Sequence, residues 1–364
     1  MFHQRLIDRL TEFYKNFLPE FFQKAVPEET ASTCSDCAMW VEPGEGTSSS
    51  IQFSRETKCC TFYPNLPNYL VGALLSQEET YLKKGKERVD KLIYSRVGIT
   101  PLGIRRSRKY ELLVRKARSA FGKTQSMVCP FFEQKEGLCT IYPFWNGTCS
   151  TWFCKYNAGY DGQAFWLALR NYIRRLEKVL AQYAAHKNGF EARYIIMPKT
   201  DTEPWTERTL DDLPVDDVTY KKTWQRWSGR ERDFFKETYE RIKGLSKDDF
   251  RYIGGITQDI LLKDLEKKRR KLIHPLLPKR LKYNQNLIVE KTREGEYILS
   301  GYSSYDPIKV SKRIYNMLDF FDGYRSNEDA FGLIFEHVGI EPSKDLLLKL
   351  YQFRILTQVG NKIL

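Results

Sequence analysis

The sequence has no long uninterrupted run of apolar residues. The longest, Tyr69 to Ser76, is far shorter than the roughly 20 residues that a membrane-spanning helix needs. The first residues, MFHQRLIDRLTEFYKNF, mix charges of both signs with apolar positions. They contain neither an apolar core segment nor a small-residue cleavage site, which a secretory signal requires. We therefore expect no membrane insertion and a cytoplasmic location.

Histidine is scarce, and the common nucleotide-binding and catalytic motifs are absent. The sequence contains no GxGxxG, no Walker A and no GxSxG pattern, so dinucleotide enzymes, P-loop NTPases and α/β-hydrolases lack support. The CxxxCxxC spacing typical of radical chemistry with S-adenosylmethionine is absent too. The four histidines form no HExxH pattern and are far in sequence from the cysteines: His3, His186, His274 and His337. No catalytic residue can be assigned.

The chain is long enough for two domains. It has 364 residues, of which 41% are hydrophobic and 14% aromatic. Residues 198–217 are acidic, contain three prolines and show no hydrophobic period, which predicts a linker. Residues 1–197 then form an N-terminal helix, a loop-rich cysteine-clamped metal domain and a backing helix, and 218–364 form a helical and winged-helix-like domain. The predicted fold class is α+β and mostly helical.

Hydrophobic periodicity and capping residues place the main elements. Near the N-terminus, apolar residues at helical spacing over 2–18 predict an amphipathic helix that Pro19 ends. The remaining predictions are a helix over 162–185, helices over 219–243 and from Ser246 to the basic run 267–271, a β-hairpin with its turn at 292–295, and three short helices that begin near Asp306, Ser326 and Ser343.

All eight cysteines lie between residues 34 and 154. In a reducing compartment they seldom form disulfides, and at about 2% of the chain they are too sparse for a disulfide scaffold. A CxxC turn aims two sulfurs at one metal ion, and eight thiolates suffice for two four-cysteine zinc sites, two iron–sulfur clusters, or one of each. Buried free cysteines that act as small hydrophobic residues are the plainer alternative. The predicted metal ligands are Cys34, Cys37, Cys59, Cys60, Cys129, Cys139, Cys149 and Cys154.

These motifs resemble a known family. The CxxC pair at 34–37, the doublet at 59–60, the segment CPFF from Cys129 and the segment CTIY from Cys139 are similar to the CxxCxxCC zinc- or iron-chelating cysteine-cluster domain. The resemblance covers about residues 34–155. Trp145 and Asn146 stand where the family has an Arg-Pro pair, and 21 residues separate the CxxC pair from the doublet, where the family is more compact. The resemblance implies that the cysteines are the ligand set. It extends to the flagellin lysine-N-methylase, in which such a cluster is implied to bind iron–sulfur.

The chain is also basic, with a net charge of +13. Residues 81–123 carry 14 basic and 3 acidic residues, and such stretches can follow a phosphate backbone or bind an acidic partner. The part that resembles a helix-turn-helix, however, is nearly neutral, whereas nucleic-acid binders concentrate positive charge on the reading element. A nucleic-acid-associated regulator therefore ranks third among the expected functions.

The first expectation is a cytoplasmic metal-binding protein. Its cofactor is an iron–sulfur cluster or zinc, since thiolates bind both, and its C-terminal module recognises a peptide or protein. The hairpin edge is the element that could pair with an extended peptide. The second expectation is a protein-modifying enzyme akin to the flagellin lysine-N-methylase.

Overall fold

The computed structural model of the chain describes residues 5–27, 37–40, 52–191 and 206–358. The chain divides into two compact units. Unit 1 draws its described residues from 1–26, 33–152 and 169–262, and unit 2 draws its own from 27–32, 153–168 and 263–364. Of the predicted linker, residues 198–205 lie outside the described residues, and a short helix forms at Glu207–Leu210. The domain boundaries taken from the sequence stay predictions.

The N-terminal segment of unit 1 is not the continuous helix that the apolar spacing predicts. It forms three 3₁₀ turns, Leu6–Arg9, Glu12–Asn16 and Glu20–Gln23. The chain is extended at Leu10 and at Pro19, between the turns. Apolar side chains on both sides of the stripe are buried, so the segment has no polar face to keep in solvent. A hydrogen bond of 3.0 Å from Leu6 N–H to the Lys24 carbonyl folds its two ends together.

Short elements build the cysteine-rich part of unit 1, as its many prolines and glycines predict. The helices are α1 (Asn68–Leu75), α2 (Lys83–Ser95), α3 (Arg108–Lys116) and α4 (Gly147–Thr151), and the strands are β1 (Leu66–Pro67), β2 (Ile99–Thr100), β3 (Gly103–Ile104), β4 (Phe132–Glu133) and β5 (Leu138–Cys139). Strands β1, β3 and β2 form one antiparallel sheet, and β4 and β5 form a hairpin. Every residue of α1 is buried, so this helix is the centre of the unit's core.

Longer helices follow, and most begin where their capping residues predict. Helix α5 (Gly159–Lys187) confirms the predicted backing helix. The next are α6 (Glu207–Leu210), α7 (Asp217–Trp224), α8 (Glu231–Lys243) and α9 (Lys247–Ile273). The single helix predicted over 219–243 is wrong: Gln225 has φ 50° and separates α7 from α8. Helix α9 starts after Ser246 as predicted, and Gly255, at φ 59°, kinks it.

Unit 2 contains a hairpin followed by short helices. Its elements are β6 (Lys282–Tyr283), β7 (Ile288–Lys291), β8 (Tyr297–Ser300), β9 (Ile308–Val310), α10 (Lys312–Met317), α11 (Asn327–Val338), α12 (Lys344–Gln352) and β10 (Leu356–Thr357). Strands β7, β8 and β9 form an antiparallel sheet, and β10 pairs with β6. The predicted hairpin and the helix starts at Ser326 and Ser343 are confirmed. The start near Asp306 is wrong, because Pro307 leads into β9 and Ser311 caps the helix instead.

The predicted fold class, α+β and mostly helical, is confirmed by these elements. The winged-helix assignment of unit 2 stays a prediction. Across the described ranges, no helix combines the length and the apolar character that crossing a membrane requires.

Candidate metal centre

Seven of the eight predicted ligands lie in the described part of the chain, and all seven are free thiols. Cys34 lies outside the described residues. Cys154 belongs to unit 2, where burial and the charge of this thiol raise the pKa of Tyr305. The other six belong to unit 1: Cys37, Cys59, Cys60, Cys129, Cys139 and Cys149.

The Cys59–Cys60 doublet sits on a 3₁₀ turn, Lys58–Thr61. Lys58 opens the turn with φ 48°, and its Nζ donates a 3.0 Å hydrogen bond to the carbonyl of Gly137, in the β4–β5 turn. The Cys60 thiol donates a hydrogen bond to Cys59; this bond lowers the pKa of Cys59 and raises the pKa of Cys60. The doublet is therefore anchored to the hairpin and holds its two sulfurs next to each other.

The β4–β5 hairpin brings Cys129 and Cys139 to the same place. The backbone N–H of Cys129 donates to the Cys60 carbonyl at 2.7 Å, and the Cys129 carbonyl accepts from Phe132 N–H at 3.0 Å. Phe132 is in turn the β-partner of Cys139. Residues that are 69 or more positions from the doublet in sequence thus meet it through the backbone of the hairpin.

Cys149 reaches this region on the short helix α4. Asn146 caps the helix, and its side-chain oxygen accepts a 3.1 Å hydrogen bond from Cys149 N–H. The carboxylate of Glu177, on α5, accepts a hydrogen bond from Gly147 N–H at the same end. Two acceptors on the first turn fix the orientation of a helix that is only five residues long.

Electrostatic coupling shows that the six thiols of unit 1 share one region. Burial raises the pKa of Cys149, and charge on Cys129, Cys139 and Cys59 raises it further. The pKa of Cys129 is raised by burial and then by Cys139 and Cys59. Burial also raises the pKa of Cys37, and Cys59 adds to this shift. A buried group of thiols that mutually oppose ionisation becomes stable as thiolates when a cation binds it.

The thiols do not form a preorganised coordination shell. Among the described residues, no three His, Cys, Asp or Glu side chains are arranged so that they could hold a metal ion. Chemically, the set is still suited to soft metals, since thiolates select zinc, Cu(I) and iron–sulfur clusters. The assignment of the cysteines as ligands stays a prediction.

Three buried hydrogen-bond donors surround the thiols without a partner among the described residues. They are the Tyr63 hydroxyl, Arg88 Nη1 and Trp145 Nε1. Each lies close enough to a thiol for a mutual effect on pKa: Tyr63 to Cys129, Arg88 to Cys129 and Cys139, and Trp145 to Cys139. Buried donors without acceptors are costly. Their grouping around sulfur indicates that this region is built to receive negative charge.

A buried carboxyl group lies behind Cys149. Burial raises the pKa of Glu177 to about 8, against the opposing effects of the Gly147 N–H and Arg174. The hydroxyls of Tyr14 and Tyr69 lie 2.7 Å apart and are coupled to the same carboxyl. Burial keeps both tyrosines neutral, so Glu177 is the titrating group of this cluster near neutral pH.

Sequence reasoning missed the groups that flank the thiols. Lys58, Arg88 and Glu177 come from a turn, from α2 and from α5, and no motif links them to the cysteines. Only the basic character of residues 81–123 hinted that a cation was available. No protein-family model matches the chain, and comparisons with curated proteins and with solved structures found no match either.

Proposed function

We propose that unit 1 is a metal-binding domain whose clustered thiols hold an iron–sulfur cluster or zinc. The observation that carries the proposal is the meeting of six thiols from four separate stretches, surrounded by three buried donors that lack partners. Isolated cysteines that serve as small hydrophobic residues have no need of such surroundings.

The charges around the thiols support this function. Four thiolates around a divalent ion leave two negative charges, and an iron–sulfur cluster with four thiolate ligands is also anionic. Lys58 and Arg88 lower the pKa of neighbouring thiols, as cations beside such a group would. Hydrogen bonds to the sulfurs are a known means of tuning metal–thiolate sites, and the free donors are placed to supply them.

The six thiols of unit 1 exceed the four that a mononuclear site requires. Cys59 is the common neighbour, since it is coupled to Cys37, Cys60, Cys129 and Cys149. Rotation of a cysteine between staggered rotamers moves its sulfur without moving the backbone. Binding can therefore complete a coordination shell from this set by side-chain rotation.

Anaerobic purification of the full chain, followed by elemental analysis and a visible spectrum, tests the proposal. Broad visible absorbance with acid-labile sulfide and about four irons per cluster identifies iron–sulfur. Colourless protein with stoichiometric zinc identifies a zinc site. Protein that is folded, metal-free and unable to take up either metal would refute the proposal. A cytoplasmic location is part of the proposal and is supported by the free state of all seven described thiols.

A second function, peptide recognition by unit 2, is favoured by the geometry of β7. Thr292 N–H donates to the Glu296 carbonyl at 2.9 Å, and Gly295 N–H donates to the Thr292 carbonyl at 3.1 Å. This is a three-residue loop with a bulge at Gly295. In an antiparallel ladder hydrogen-bonded pairs alternate, so Ile288 and Glu290 bond β8, while the backbone groups of Val289 and Lys291 face the open edge.

Strand β7 has a β-partner on one side only, and all four of its residues are exposed. The Val289 and Lys291 amide hydrogens should exchange faster than those of Ile288 and Glu290. An alternating Val/Thr octapeptide with terminal lysines is a suitable extended probe, and its binding should slow exchange at the two open positions. Val289→Pro removes an edge donor without touching the ladder and should abolish binding. Equal exchange at all four positions, or no binding, would defeat this second function.

A further inference from the structure

Helix α2 lies directly against the strand that carries Cys139. A Cβ atom at Gly85 would lie 2.4 Å from the carbonyl oxygen of Thr140, the residue after Cys139. Only glycine permits this approach between the helix and the hairpin. The contact fixes where the next turn of α2 points its side chains.

Arg88 is one turn beyond Gly85 and lies on the same side of the helix. Its Nη2 donates a 2.8 Å hydrogen bond to the carboxylate of Glu133, on β4. Its Nη1 is buried and has no hydrogen-bond partner within the described ranges. Glu133 follows Phe132, the β-partner of Cys139, so this ion pair holds the guanidinium over the hairpin and beside the thiols.

Lys84, on the same helix, shows that the position of Arg88 is distinctive. Lys84 also pairs with Glu133, at 3.5 Å, and with Glu136, at 2.8 Å. Its side chain is half exposed, whereas that of Arg88 is largely covered. The two cations share a carboxylate partner, but the charge of Arg88 is the one that acts on Cys129 and Cys139.

We propose that Arg88 donates hydrogen bonds through Nη1 to the metal-bound sulfurs of Cys129 and Cys139 and so strengthens metal binding. This inference rests on the proposed metal-binding function. A guanidinium holds several N–H donors in a fixed planar fork, so it can bind Glu133 with one nitrogen and sulfur with the other. A lysine ammonium, as a point charge on a flexible stem, serves both partners less well. Arg88 is thus a positioning and charge-compensating residue, not a ligand.

Competition between the apo full-length protein and a chelator for Co²⁺, under anaerobic conditions, tests the inference. The thiolate-to-cobalt charge-transfer band reports occupancy. Arg88→Gln should weaken Co²⁺ binding about 10- to 100-fold, the usual cost of losing a partner of a ligating group. Arg88→Lys should weaken it less. Lys84→Gln is the matched control and should bind as the wild type does.

Glu133→Gln separates the two roles of Arg88. If Arg88 acted only through its ion pair, Glu133→Gln would weaken Co²⁺ binding as much as Arg88→Gln does, and this result would overturn the inference. We expect instead that Glu133→Gln binds at least as tightly as the wild type, because the guanidinium is then free to face the sulfurs. Wild-type affinity in folded Arg88→Gln would also overturn it.

The failures can be told apart. A wild-type protein that shows no charge-transfer band and contains neither iron nor zinc defeats the metal-binding function itself. A wild type that binds Co²⁺, with an unchanged Arg88→Gln variant, defeats only the role of Arg88. If circular dichroism shows that Arg88→Gln does not fold, Arg88→Lys decides, and wild-type affinity in that variant counts against the inference.

Discussion

Replacing Glu177 with glutamine should remove a pH-dependent penalty on folding. Glu177 is fully buried and its pKa is raised to about 8 in the folded protein, whereas an unfolded glutamate titrates near pH 4.5. Between these two values the folded chain keeps a proton that the unfolded chain has released. The free energy of unfolding therefore falls as pH rises through this window, and the contribution of the neutral carboxyl is complete only below about pH 4.5.

The magnitude follows from the pKa shift. One pKa unit corresponds to about 1.4 kcal/mol, so this group lowers stability by ~1.4 kcal/mol per pH unit between about pH 5 and pH 7.5. Over that range the loss amounts to about 3 kcal/mol. Glu177→Gln keeps a side-chain oxygen that can accept from Gly147 N–H, but it carries no charge at any pH. Its stability relative to the wild type should rise steadily across the same range.

Urea unfolding of both proteins at about pH 5.5, 6.5 and 7.5, with reductant and chelator present, measures the difference between the two curves. Glu177→Leu is the control for the hydrogen bond. It should show the same flattened pH dependence as the glutamine variant, but lie lower by about 1–3 kcal/mol because the Gly147 N–H loses its acceptor. Parallel curves for wild type and Glu177→Gln would refute the reasoning, since the carboxyl would then titrate alike in the folded and unfolded chains.

The remaining predictions concern the doublet and the helix that faces it. Cys59→Ser or Cys60→Ser should lower metal content and folded yield, because metal binding and folding are coupled; unchanged metal content in both would remove the doublet from the ligand set. Gly85→Ala should destabilise the protein relative to Gly332→Ala by about 1–3 kcal/mol in urea unfolding, because both changes improve helix propensity but only the first meets a backbone oxygen, at 2.4 Å. Equal stability of the two alanine variants would contradict the close packing of α2.

Local signals in the sequence predicted many elements of the fold. Ser326 and Ser343 begin helices because their hydroxyls accept from backbone N–H groups of the first turn, and Gly339 ends one at φ 70°. These interactions lie within a few residues, so a sequence pattern records them. The N-terminal segment and Gln225 were mispredicted for the opposite reason: burial of side chains on all sides, or of the neighbouring tryptophans Trp224 and Trp227, overrides helical spacing.

The candidate site divides along the same line. The cysteines identified themselves by residue type and clustering, and the structure brings six of them into one region of unit 1. Cys154, which the spacing placed in the same set, belongs to unit 2. Arg88 and Glu177 were out of reach of sequence reasoning, since an arginine in a basic helix and a glutamate in an amphipathic one look like ordinary surface residues until the packing is known.

The backbone contact between Cys60 and Cys129 has a consequence for how the domain is held together. The two residues are about 70 positions apart in sequence, yet they are joined by a 2.7 Å hydrogen bond. An ion gripped by both sulfurs would serve as a removable cross-link, restricting the unfolded chain much as a disulfide of that span does, by about 4 kcal/mol. Unlike a disulfide, such a clasp opens without any change in oxidation state, so the supply of metal alone would decide how tightly this half of the molecule stays closed.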